Sequence, residues 1–200
     1  MQNDSILEEV LKLHTHTGYQ TDYFATMGLP KTVVLEDVFR PEVSFLGTYI
    51  AKFLYNNPRY YRKKVVLDIG CGCGILSLIM AVHGAAEVTA VDIGPKSVQN
   101  TRLNVRNYKL SNVEVRLSNL FSKVNDSRFG LIVFNAPFFY SRKVPKSETL
   151  AAIASDGSTL HKFFEGFPKH LATKRYSHNA AIGYSRETEQ PDSSFWRIRV

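Results

Sequence analysis

The run Val65-Val66-Leu67-Asp68-Ile69-Gly70-Cys71-Gly72-Cys73-Gly74-Ile75-Leu76 constrains this chain more than any other feature. An apolar, β-forming stretch breaks at three alternate glycines, and an apolar helix begins at Ile75. Alternate glycines let the backbone turn tightly and let a bound group approach it closely. A strand that feeds a helix through such a turn is a unit of an α/β sheet, and ligands bind beyond the carboxyl ends of such strands. The spacing narrows the ligand. A dinucleotide fingerprint needs G-x-G-x-x-G, and counted from Gly70 its last glycine falls on Ile75. No G-x-x-x-x-G-K-[ST] is present, so a nucleoside-triphosphate loop is excluded as well.

The rest of the chain alternates in the same way. A helix is expected over 5–14, followed by a loop-like stretch over 17–41 with a short hairpin strand at 32–35, and a second helix over 44–56 that ends at Asn56-Asn57-Pro58. Strand 65–69 then leads to helix 75–83, and strand 87–92 to helix 95–107. Strand 113–117 is followed by a loop and by strand 130–134, and helix 159–172 precedes strand 179–184. Such alternation predicts an α/β fold with a doubly wound, mostly parallel sheet. The expected organisation is one domain over 1–200, with a helical and loop-like extension at 1–62 and a binding core at 63–200. After residue 185 only Phe195-Trp196-Arg197-Ile198-Arg199-Val200 could supply one more strand. Either the sheet is abbreviated at this end or a partner strand comes from elsewhere.

Two hundred residues with 44% hydrophobic content support one globular core. No stretch of about 18 apolar residues marks a membrane span. The amphipathic N-terminus lacks the basic region and cleavage site of a secretory signal, so a cytoplasmic location is expected. The two cysteines, Cys71 and Cys73, sit too close together to staple a fold, and two ligands do not make a zinc site. The six histidines show no metal-ligand spacing, and no metal is expected. A net charge of +7 is compatible with a nucleic-acid partner, RNA before DNA, although the basic groups at 59–64, 142–146 and 169–175 are separated rather than continuous.

The D-x-G-x-G-x-G form of the loop, with an acid after the next strand, resembles motif I of the class I S-adenosylmethionine-dependent methyltransferases. The resemblance implies a Rossmann-like methyltransferase fold with S-adenosyl-L-methionine as cofactor. Its methionine end would lie against Gly70, Cys71, Gly72 and Gly74, with Asp68 organising the loop. Asp92 closes strand 87–92, where an acid accepts hydrogen bonds from ribose hydroxyls; capping of helix 95–107 is a compatible second role. Asn119 stands where related enzymes carry an acid against the adenine amino group, and keeps an acceptor without the charge. Leu120 and Phe121 are placed either for packing on adenine or for the core.

Asn135-Ala136-Pro137-Phe138 resembles the [DN]-P-P-[FYW] motif of methyltransferases that act on planar nitrogen. There, an Asn oxygen and a backbone carbonyl each accept one N–H, proline stiffens the turn, and an aromatic ring sandwiches the flat acceptor. Asn135, the Ala136 carbonyl, Pro137 and Phe138 are expected in these roles. Residues 38–44, Val-Phe-Arg-Pro-Glu-Val-Ser, resemble the P-R-P-E-T-E segment of glutamine-N5 methyltransferases, and Asp156-Gly157 resembles their D-G-L stretch. The expected function is methyl transfer to a planar nitrogen of an RNA or DNA base or of a protein glutamine. A small-molecule N-methyltransferase and a non-catalytic S-adenosylmethionine-binding module are the alternatives.

Overall fold

A computed structural model describes residues 2–124, 128–141, 147–172, 180–182, 184–185 and 197–198. The chain begins with helix α1 (Gln2–His14), strand β1 (Tyr19–Thr21), strand β2 (Thr32–Val34) and helix α2 (Phe45–Asn56). The core then runs β3 (Val65–Ile69), α3 (Ile75–Val82), β4 (Glu87–Asp92), α4 (Pro95–Asn107), β5 (Val113–Leu117) and β6 (Leu131–Phe134). After it come β7 (Phe139–Tyr140), α5 (Glu148–Ile153), β8 (Ala154–Ser155), α6 (Ser158–His170), β9 (Ala180–Ile182), β10 (Tyr184–Ser185) and β11 (Arg197–Ile198). Among the described residues no helix is long and apolar enough to cross a membrane.

The central sheet has the order β5-β4-β3-β6-β9, and every pair in it is parallel. The order reverses between β3 and β6, which opens a crevice beyond their carboxyl ends. Both faces are covered. Val66, Val88, Ala90, Leu131 and Val133 belong to one apolar cluster with α2, α3 and α4. Leu67, Ile69, Val91, Ile132 and Phe134 belong to a second, closed by Phe163 of α6. Two buried faces are why these strands read as continuous apolar runs rather than as alternating ones.

The N-terminal segment shares the first cluster through Phe24, Leu29, Val34, Val38, Ile50 and Leu54. The hairpin β1–β2 is held from the side by two asparagines one turn apart on α4. Asn100 Oδ1 accepts from Leu35 N at 2.8 Å, and Asn104 Oδ1 accepts from Val33 N at 3.0 Å. Asn104 Nδ2 also donates to the Cys73 carbonyl at 2.8 Å, so the same helix grips the glycine loop. Ser44 caps α2 by accepting from Gly47 N at 3.0 Å.

The core strands and helices lie where the sequence placed them, to within a residue or two. The sequence did not anticipate β1, β7, α5 or β8. At the C-terminal end, β10 and β11 pair antiparallel with each other and not with the central sheet. The basic group at 142–146, residues 173–175 of another, His178 and Phe195-Trp196 lie outside the described residues.

Gly74 shows why the loop needs glycine. Its φ is +93°, and an added Cβ would stand 3.0 Å from Thr101 Cγ2 and 3.1 Å from Thr101 Oγ1. Thr101 has no room to retreat, because its hydroxyl donates to the Gly72 carbonyl at 2.8 Å. Gly74→Ala is expected to lower unfolding free energy by about 2 kcal/mol or more. Urea denaturation checks this; an unchanged midpoint would contradict it.

Candidate active site

A cavity of about 390 Å³ opens at the carboxyl ends of β3, β4 and β6. Its floor is the glycine loop, with Gly70, Cys71, Gly72 and Cys73 all lining it. Gly70 and Gly72 take positive φ, +69° and +57°. A Cβ on Gly72 would meet no protein atom within 4 Å, so the loop leaves open space where a side chain would otherwise project.

Asp92 ends β4 and lines the cavity. Its Oδ2 accepts from Gly72 N at 2.9 Å and its Oδ1 from Gly94 N at 2.8 Å. One carboxylate thus clamps the glycine loop to the entry of α4. Each oxygen keeps lone-pair capacity beyond the bond it makes. Burial raises its pKa, and the bonds from Gly72 and Gly94 work in the opposite direction.

Asp68 is 1% exposed and does not line the cavity. Its Oδ2 accepts from Ser77 Oγ at 2.5 Å, while Oδ1 is buried with no hydrogen-bond partner among the described residues. Burial pushes its pKa from 3.8 to about 7, against the Ser77 hydrogen bond. The folded state therefore binds this proton more tightly than the unfolded chain does. The contribution of Asp68 to stability is complete below about pH 4 and is lost as pH rises toward 7. Buried His14 works the other way. Desolvation, then the neighbouring Arg40, lower its pKa to about 4, so its contribution is lost as pH falls from 6.5. Asp68→Asn keeps an acceptor for Ser77 and removes only the first effect. The stability of the variant relative to wild type is expected to grow between pH 4 and 8, as read by thermal melts. A difference independent of pH would contradict this.

Asn135 follows β6 directly and lines the cavity, and its Oδ1 is buried without a partner among the described residues. It lies one position beyond the last paired residues, Ile69 and Phe134. Pro137 also lines the cavity. Ala136 and Phe138 do not. Ala136 packs into the second apolar cluster, and Phe138 is 51% exposed against Phe139. Alternation carries Ala136 onto the face of Ile132 and Phe134, which share the second apolar cluster with it, although Phe134 also reaches the cavity. Beyond β6, Phe138 N donates to the Ile153 carbonyl at 3.0 Å. The expectation that the Phe138 ring walls the cavity is therefore corrected: the ring stands outside its lining.

Asn119 and Leu120 line the opposite side, on the turn after β5. Leu120 takes a φ of +48°, and Ser118 Oγ holds the turn by donating to the Leu120 carbonyl at 2.9 Å. The sequence reading did not find Ile93, Ser97, Glu148 or the alanines Ala151, Ala152 and Ala154, all of which line the cavity. Ile93, 60% exposed, carried a signal, an apolar residue between the strand-ending acid and Gly94. Glu148 carried none. Phe39 and Pro41, from the segment 38–44, also line the cavity. Cys71 and Cys73 are free and buried, and burial pushes both thiol pKa values up, that of Cys73 to about 12.

The profile of the methyltransferase small domain matches residues 48–163, more than half of the chain. The chain belongs to this methyltransferase family. A putative protein N5-glutamine methyltransferase of Methanocaldococcus jannaschii is 33% identical over 117 residues, covering 55% of this chain and 57% of that protein. Ribosomal protein L11 methyltransferase of Thermosipho africanus is 44% identical over 86 residues, covering 42% of this chain and 31% of that one. The methyltransferase chain thus spans 57% and 31% of the length of these two relatives. The fold is shared with the T. thermophilus 16S rRNA N2 G1207 methyltransferase in complex with AdoMet and guanosine. The TM-score is 0.53 at 22% identity, covering 71% of this chain and 36% of that one.

Proposed function

We propose that this chain is an S-adenosylmethionine-dependent methyltransferase acting on a conjugated, planar nitrogen, the amino group of a nucleic-acid base or the side-chain amide of a protein glutamine. The observation that carries this reading is the Asn135 Oδ1 in the cavity wall, buried and without a hydrogen-bond partner among the described residues. Leaving such an acceptor unmatched costs about 1–3 kcal/mol, and an incoming N–H removes the cost.

When bound, S-adenosylmethionine supplies an electrophilic methyl group on a sulfonium. The residues present fit it: the open space beside Gly72 admits a chain against the loop, and Asp92 offers an acceptor on each oxygen to a ribose. Gly70, Cys71, Gly72 and Gly74 are assigned to the methionine end, with Asp68 fixing the loop through Ser77. Asn119, Leu120 and Ile93 are assigned to the base. On the acceptor side, Asn135 Oδ1 takes one N–H; the second is assigned to the Ala136 carbonyl by the resemblance of the motif, although Ala136 itself lies outside the cavity lining. Holding both N–H groups turns the nitrogen lone pair, otherwise conjugated, toward the donor side. Pro137 restrains the turn that presents these acceptors. Catalysis by this set is positional, an effect that can supply roughly 7–11 kcal/mol of a barrier.

The name of the Methanocaldococcus relative favours glutamine, and the net charge of +7 favours nucleic acid. Transfer of a radiolabelled methyl group into RNA and into protein, each at low and high salt, separates them. Label in RNA that falls steeply with salt supports a base acceptor. Label in protein with little salt dependence supports glutamine. Donor binding with label in neither contradicts the proposal and favours a small-molecule acceptor or a binding module.

A further inference from the structure

The outer wall of the cavity is a six-residue helix, α5, too short to hold its shape alone in water. It contributes Ala151 and Ala152 to the lining, with Ala154 just beyond its end. Ser147 caps it by accepting from Leu150 N at 3.1 Å. What fixes its place is a side chain reaching across the site. Glu148 Oε1 accepts from Lys96 N at 2.9 Å, and Oε2 accepts from Ser97 N at 3.0 Å and from Ser97 Oγ at 3.2 Å. These are first-turn N–H groups of α4, which lack intrahelical partners, and the N-cap Gly94 has no side chain to satisfy them. A Cβ on Gly94 would stand 2.1 Å from Glu148 Oε2, so the glycine makes room for this carboxylate. Beside it, Thr149 Oγ1 donates to Asp37 Oδ1 at 3.2 Å.

Gly94 is also the residue whose N–H binds Asp92. The turn between β4 and α4 is therefore held by Asp92 from the donor side and by Glu148 from the segment that follows the acceptor motif. We propose that Glu148 is a positioning residue that latches α5 across the cavity, and that release of this latch sets the rate at which the cavity admits a ligand. That the ligand is the methyl donor rests on the function proposed above.

The two cysteines of the chain report on access without any ligand, since both line the cavity and are only 7% and 3% exposed. The experiment follows N-ethylmaleimide labelling of wild type, Glu148→Gln, Thr149→Val and, as a control, Glu87→Gln on the exposed start of β4. Glu148→Gln is expected to label about tenfold faster than wild type. Thr149→Val should shift the same way by less, and the control should match wild type. The increase should persist unchanged through low urea, as local opening requires; a rate that climbs with urea marks global unfolding. Equal labelling of Glu148→Gln and wild type, or an increase that tracks urea, overturns the latch. S-adenosylhomocysteine forms the second arm. Protection by it with no effect of Glu148→Gln removes the latch and leaves the donor reading standing. Faster labelling of Glu148→Gln with no protection supports the latch and removes the donor reading.

Discussion

Asn135→Ala is expected to lower turnover by about 100-fold while leaving affinity for S-adenosylhomocysteine within about threefold of wild type. The asymmetry follows from its place. The side chain lies beyond the end of β6, and its buried Oδ1 touches no part of the glycine loop or of Asp92 that the structure records as a hydrogen bond. Removing it takes away the acceptor proposed for the substrate N–H and leaves the hydrogen bonds of Asp92 to the glycine loop as they were. Truncation to alanine also deletes an unmatched buried acceptor, so the variant should fold at least as well as wild type. Steady-state kinetics with a saturating acceptor, set beside calorimetric binding of the product, measure both quantities. Comparable losses in the two would show that Asn135 supports the pocket rather than the acceptor.

Asp92→Ala is expected to show the opposite pattern, a loss of donor affinity of about 100-fold or more. Hydrogen bonds to a charged group contribute about 1.5–3 kcal/mol each, and two ribose hydroxyls account for the loss. Part of it comes from the protein alone. Without the carboxylate, the N–H groups of Gly72 and Gly94 lose their acceptors, and the loop and the start of α4 are no longer tied together. Asp92→Asn separates the contributions, because it retains one carbonyl acceptor and places an NH₂ where an N–H already points. Its affinity should fall between those of wild type and Asp92→Ala. Equal affinity in all three proteins, by direct titration of S-adenosylhomocysteine, would remove Asp92 from the site.

The sequence made the donor half of this fold legible because local and tertiary signals agree there. Strands 65–69, 87–92 and 113–117 and helix 95–107 have the bounds read from pattern alone. Strands 65–69 and 87–92 are mostly apolar and end at glycine or at Asp92, strand 113–117 alternates Val113 and Val115 with Glu114 and Arg116 before a turn, and Pro95 starts the helix. The acceptor half was less legible. The motif at 135–138 was found as a string, yet a string does not say which residues face inward. In the structure Asn135 and Pro137 line the cavity and Ala136 packs into the core, while Phe138 is left at the surface. The two-residue strands β7 and β8 and the six-residue α5 carry too little periodicity to be read, and they exist through contacts with one another and with α4. Glu148 is the extreme case. Its partners lie about fifty residues earlier in the chain, and nothing around it in sequence distinguishes it from a solvated surface acid.

If the cavity at the ends of β3, β4 and β6 takes S-adenosylmethionine, calorimetric titration of S-adenosylmethionine and S-adenosylhomocysteine into the purified protein, with NADH as control and Asp92→Ala alongside, will show it. Low-micromolar, one-to-one binding of both sulfur compounds is expected, with none of NADH and loss of binding in Asp92→Ala. A folded wild-type protein that binds neither sulfur compound would contradict it.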